Sequence, residues 1–195
     1  KSLLSFKWLI ITIIILAYIS GLYTNKIFAI RFADEEDNLV IGNYLLNGQK
    51  LYSDLFSHHQ PYGYMLSASF QWIAKPYDIY SLVKQHREFM IAWAFLWCLA
   101  LVLRFKEKVI LPLFIFELTK FFLLGNLFLS ESLAVYPVLY LILFLIIESG
   151  RPDNKELFFT GILIGFTGLL LTPLWPMLAA YLFFWPGLKK LKLRI

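Results

Sequence analysis

LFFTGILIGFTGLLLTPLWPMLAAYLFFWPGL, residues 157–188, holds no charged side chain. At ~1.5 Å per residue such a run overshoots a hydrocarbon core of ~30 Å, so it is too long for one membrane-crossing helix. Pro173 and Pro176 stand near its middle, and a proline ends a helix because it lacks the N–H and its ring clashes with the preceding turn. The run therefore predicts two short crossings, 157–172 and 174–188, with a turn between them.

The same pattern recurs toward the N-terminus. Trp8 to Asn25 is free of charge and rich in isoleucine, long enough for one tilted span. No small-x-small cleavage site follows it, which favours a span over a signal peptide. Further spans are expected at 88–104, 109–129 and 132–148. The chain of 195 residues is 59% hydrophobic and 18% aromatic, with a mean hydropathy of +0.68. A soluble domain of this size has too few charges to cover so much apolar surface. Continuous rather than alternating runs argue against a β-barrel. The reading is an all-α polytopic membrane bundle of about six transmembrane helices.

Charge sets its orientation. The net charge of +5 comes from Lys and Arg gathered between spans, which fits membrane topology and not nucleic-acid binding. Lys1 and Lys7 precede the first span and favour a cytoplasmic N-terminus. Arg104, Lys106 and Lys108, then Arg151 and Lys155, then Lys189, Lys190, Lys192 and Arg194 all fall inside if residues 62–74 do not cross. That segment reaches only about 20 Å as a helix, so it is expected to lie at the outer surface of the plasma membrane. Residues 24–86 then form one outer loop. Cys98 stands alone, which excludes an internal disulfide. Metal-ligand Cys/His spacing, a Gly-rich phosphate loop and a GxSxG turn are missing from the sequence. Without a repeat or a low-complexity linker, 1–195 reads as a single transmembrane domain. A chain that begins at Lys1 and stops soon after a span is expected to be the N-terminal part of a longer protein.

Polar chemistry concentrates in the outer loop. Asp34, Glu35, Glu36 and Asp37 are consecutive. Asp34 is placed to cap a helix, with Asp37 three residues on in the manner of a capping box. Val40, Ile41, Tyr44 and Leu45 make an apolar stripe at helical spacing, ended by Asn47-Gly48; this predicts an amphipathic helix lying on the membrane. Pro61 suits the first turn of a second surface helix. Two juxtamembrane helices result. Acids at a helix N-terminus are often only dipole partners, but four in a row repel, which favours uptake of a cation or a proton. A carboxylate within hydrogen-bond reach can serve as general base to a hydroxyl. His58 and His59 are candidates for phosphate contact, against a bland reading as loop histidines. Arg87 is a candidate for bidentate phosphate binding, against headgroup anchoring. Glu117 and Lys120, three apart within a span, are expected to neutralise each other across a turn. Glu131, at the outer end of its span, is a candidate for the site.

The order of these features resembles the N-terminal part of GT-C membrane glycosyltransferases, such as protein O-mannosyltransferases and lipid A aminoarabinose transferases. The resemblance rests on Asp34-Glu35, Gly48, Leu51-Tyr52-Ser53-Asp54, His58-His59-Gln60-Pro61, an aromatic-rich short helix, and Arg87. It implies transfer of a sugar from a polyprenyl-phosphate donor to a glycan, lipid or protein acceptor on the outer face. Asp34 would be the catalytic base, with Glu35 assisting in acceptor or metal handling. Arg87, His58, His59, Asp54 and Tyr52 would bind substrate, and Glu35 or Glu131 would hold a divalent cation, Mg or Mn. Two other classes compete. A transporter or flippase would need ionisable groups deep in several spans and an inverted repeat, and a non-catalytic truncated subunit would need a partner.

Overall fold

The computed structural model describes residues 2–24, 34–57, 59–147 and 153–184. Among them the chain is helical without strands, apart from an isolated bridge between Leu51 and Leu55. The helices are α1 (Ser2–Thr24), α2 (Glu35–Leu46), α3 (Pro61–Ala74), α4 (Ile79–Phe105), α5 (Ile110–Thr119), α6 (Ser130–Ile147), α7 (Asn154–Leu170) and α8 (Trp175–Phe184). By length and composition, the helical run Ile79–Leu123 and the helix Ser130–Ile147 are apolar and long enough to cross a membrane.

Heptad-like spacing explains the first packing. Thr12, Leu16, Ile19 and Tyr23 are buried, one stripe of α1 that packs on α4. The core continues through Cys98, Leu101 and Phe105 of α4, Tyr136, Tyr140 and Phe144 of α6, and Leu163 of α7. Outward faces are apolar too: Ile14, Leu96, Leu111, Ile146, Phe158 and Phe183 are all exposed. The turn expected inside 157–188 is present, as a 3-10 turn over Thr172–Leu174 that contains Pro173.

Two boundaries differ from expectation. The helix expected at 88–104 starts at Ile79, because Asp78 and Ser81 form a capping box: the Ser81 N–H donates to Asp78 Oδ1 at 2.7 Å, and the Asp78 N–H donates to Ser81 Oγ at 3.1 Å. Lys84 and Glu88 pair at 3.8 Å on the exposed side. Charge on one face therefore did not stop the helix, and residues 79–86 belong to α4. The expected span 109–129 is also not one helix. It breaks into α5, a 3-10 turn over Lys120–Leu123, and a left-handed Leu124 (φ 60°). Gly125-Asn126 is the turn signal behind that break, and it sends Leu127 and Phe128 back into the core.

α2 and α3 form a packed pair. The buried face of α2 is Glu35, Asn38, Leu39 and Gly42, whereas Val40 and Tyr44 of the apolar stripe are exposed. The helix thus turns its small and polar residues inward and part of its greasy stripe outward. Gly42 permits this: a Cβ there would sit 2.7 Å from Ser67 Oγ and 3.0 Å from the Ala68 backbone nitrogen.

Charge separates along the bundle. Arg104, Lys106, Glu107 and Lys108 follow one another where α4 closes, and Arg104 donates to Glu156 at the start of α7 at 2.6 Å. Asp34, Asp37 and Glu131 lie at the other end, with the close of α7 and the Thr172–Leu174 turn.

Candidate active site at the acidic end

The N-terminus of α2 is seated on the 124–129 loop. Glu35, almost fully buried, accepts from Arg87 Nη2 and Nε at Oε1, and its Oε2 accepts the Phe128 N–H at 3.2 Å. Asn38 Nδ2 donates to the Phe128 carbonyl at 3.0 Å. One loop residue therefore satisfies two side chains of α2, one helical turn apart. Both charges of the Glu35–Arg87 pair are withdrawn from water, so their mutual contact and their hydrogen bonds must replace hydration.

Asp34 takes a different path. It occupies the N-cap position, but with φ −65° and ψ 8° its side chain makes no capping hydrogen bond, so the expected capping box with Asp37 does not form. Its exposed carboxylate instead lines a cavity of about 290 Å³ together with Asn38, His59, Gln60, Ser130 and Glu131. Leu129, Leu170, Leu171 and Pro173 supply the apolar wall. Gln60 Nε2 donates to Thr172 Oγ1 at 3.2 Å, which fastens the loop before α3 to the turn after α7. The His59 ring lies 4.0 Å from Asp37 Oδ2.

The other expected site residues are distributed as follows. Tyr52 and Asp54 do not line this cavity. The Asp54 carboxylate accepts the Lys50 N–H at 2.8 Å, and Tyr52 (φ 70°) donates its hydroxyl to the His59 carbonyl at 3.1 Å. Both shape the loop that delivers His59. His58 lies outside the described residues. Arg87 does not open its helix: it sits on the buried face of α4 and its guanidinium is engaged by Glu35. Both Glu35 oxygens are occupied, so a cation there would have to displace Arg87 or the Phe128 N–H. Among the described residues, no three His, Cys, Asp or Glu side chains converge into a cation site.

A buried polar seam supports α2 and α3 from below. His86 Nδ1 faces the Leu82 carbonyl at 2.8 Å, and its Nε2 lies 3.0 Å from Ser67 Oγ. The first contact needs a proton on Nδ1, which makes Nε2 the acceptor of the Ser67 hydroxyl. Gln71 Nε2 donates to the Leu39 carbonyl at 2.8 Å. Tyr64, fully buried, shares a hydrogen bond with Ser57, and burial pushes its phenol above the usual range. It therefore acts as a neutral hydrogen-bonding group. Glu117 and Lys120 pair as expected, at 2.6 Å, and Tyr136 closes the ring with contacts of 2.7 Å to Lys120 and 2.5 Å to Glu117.

Asn38, Gln60, Phe128, Ser130 and Thr172 were not among the expected site residues. Asn38 lies one turn beyond Asp34, and that spacing was available as a signal. Phe128 acts through its backbone, which residue type does not announce. No family model, no curated protein and no solved structure matches this chain.

Proposed function

We propose that the chain is a membrane glycosyltransferase of the GT-C kind, moving a sugar from a polyprenyl-phosphate carrier to an acceptor at the acidic end of the bundle. The observation that carries this reading is the placement of Asp34, whose carboxylate is spared from helix capping and lines the cavity shared with His59, Gln60 and Glu131. The membrane setting is supported by the two long apolar helical runs and the apolar outward faces. The basic end, with Arg104, Lys106 and Lys108, faces the cytoplasm. α1, α4, α6 and α7 cross the bilayer, the stretch 110–129 recrosses it as α5 followed by the 3-10 turn and loop, α8 begins a further crossing, and α2 and α3 rest at the outer surface.

In this reading Asp34 takes the proton of an acceptor hydroxyl. That oxygen bonds to the anomeric carbon as the bond from that carbon to the phosphate oxygen breaks, and polyprenyl phosphate leaves with the electron pair. The configuration inverts. Glu35 and Arg87 are positioning residues that hold the start of α2, so that Asp34 meets the acceptor in a fixed geometry. No step is assigned to a cation.

The test is transfer from a polyprenyl-phosphate sugar by the full chain in proteoliposomes. Asp34→Asn is expected to lower turnover by ~10²–10⁴, the usual worth of a general base. Unchanged turnover in that variant would remove Asp34 from the mechanism.

A further inference from the structure

Pro137 lies inside α6, about two turns from its start. Proline has no N–H, and its ring pushes aside the carbonyl four residues earlier. That carbonyl belongs to Leu133, a buried residue, and away from water it needs another partner. Trp93 of α4 supplies one: its Nε1 donates to the Leu133 carbonyl at 3.3 Å. The indole is held in turn by three rings. It stacks on Phe89 with centroids 6.1 Å apart, and meets Trp97 at 5.8 Å and Phe166 of α7 at 5.9 Å. One turn separates this contact from the cavity on two helices. Ser130 and Glu131 precede Leu133, Leu170 follows Phe166, and all three of Ser130, Glu131 and Leu170 line the cavity.

From this we infer that Trp93 is a positioning residue for the cavity: through the Leu133 carbonyl it latches residues 130–136, the part of α6 before the proline, and so fixes where Ser130 and Glu131 stand. Toward α5 the same segment is tied by Tyr136 to Lys120 and Glu117, and by Ser132 Oγ to the Leu124 carbonyl at 3.4 Å. Trp93 holds the side toward α4. A ring without an N–H fills much of the same space but cannot answer the carbonyl that Pro137 sets free. The latch holds whatever the cavity binds.

Hydrogen–deuterium exchange of the full chain in nanodiscs tests it, read over residues 130–136 with residues 139–147 of the same helix as control. Trp93→Phe is expected to speed exchange over 130–136 by about tenfold, the order of one buried carbonyl left unanswered, and to leave 139–147 unchanged. Loss of packing alone would produce the same acceleration whether or not residue 137 is proline. Pro137→Ala restores the N–H that takes the Leu133 carbonyl within the helix, and alanine favours the helix. In that background Trp93→Phe is expected to change exchange by less than about twofold. Pro137→Gly also restores the N–H, and gives the same comparison should the alanine chain not fold. Equal acceleration in the proline and restored backgrounds, no acceleration with Pro137 present, or acceleration shared by 139–147 would each overturn the inference. Exchange is read without turnover, so failed sugar transfer with the Pro137-dependent acceleration intact rejects the transferase reading alone.

Discussion

At the scale of single residues, Glu35 and Arg87 show how burial changes the meaning of a charge. The two lie 52 positions apart in sequence and meet in the interior, each at most 5% exposed in its side chain. Removing one partner leaves an uncompensated buried charge, so Arg87→Leu alone is expected to destabilise the fold by ~3–5 kcal/mol. Replacing both, as Glu35→Met with Arg87→Leu, is expected to recover much of that loss. Thermal unfolding in detergent measures it, and a double variant no more stable than the single one would contradict the account. The carboxylate run stood out in the sequence because four adjacent acids repel one another, more than the dipole of one helix start requires. Which acid does what was not legible. Glu35 and Asp34 are neighbours, but the helical turn sends one into the Phe128 loop and leaves the other on the cavity. That division depends on where residues 124–129 pass, which no local pattern around residue 34 encodes.

At the scale of elements, α2 and α3 depend on close backbone approach. A Cβ on Gly63 would come within 2.8 Å of Asn38 Oδ1 and 2.9 Å of Ser130 Oγ, and one on Gly42 within 3.0 Å of the Ala68 backbone nitrogen. Gly42→Ala and Gly63→Ala are each expected to cost ~1–3 kcal/mol through overpacking. Gly161 in α7 has open space around its Cβ position, so Gly161→Ala is expected to stabilise by about 0.4–1 kcal/mol. Chemical unfolding of the three variants distinguishes the cases, and a neutral Gly63→Ala would refute the packing argument. Element existence was readable from length, apolar runs and the Pro61, Asn47-Gly48 and Pro173 punctuation. Boundaries were less so. α4 begins nine residues before the expected 88 because its capping box and exposed Lys84–Glu88 pair tolerate charge on one face. The apolar stripe on α2 was expected to lie against a membrane and not in the core; Val40 and Tyr44 of that stripe are exposed, while the inward face of small and polar residues was not anticipated.

At the scale of the whole molecule, the division of charge makes an orientation testable. Cys98 is buried, so the native thiol gives little background. Ser53→Cys, on the loop between α2 and α3, is expected to react with an impermeant maleimide added outside intact cells. Lys155→Cys, at the start of α7, is expected to react only after the membrane is opened. The opposite pattern would place the acidic end in the cytoplasm and remove the proposed donor's access to it. The helical class was legible from composition alone, since mean hydropathy and uncharged runs are properties of the chain as a whole. The meeting of α2, α6 and α7 around one cavity was not, because it depends on long-range packing among residues more than a hundred positions apart, Gln60 and Thr172 for instance.

The seat of α2 on Phe128 also sets an order of events during synthesis. A ribosome delivers Glu35 long before Arg87 and Phe128 exist, so the acid must wait with its partners still unmade. Only when the stretch after α5 has emerged are all the contacts of Glu35 available, and the chamber's rim is completed later still by Thr172. A nascent chain halted before residue 128 should therefore leave α2 open to protease, and one halted beyond residue 172 should protect it.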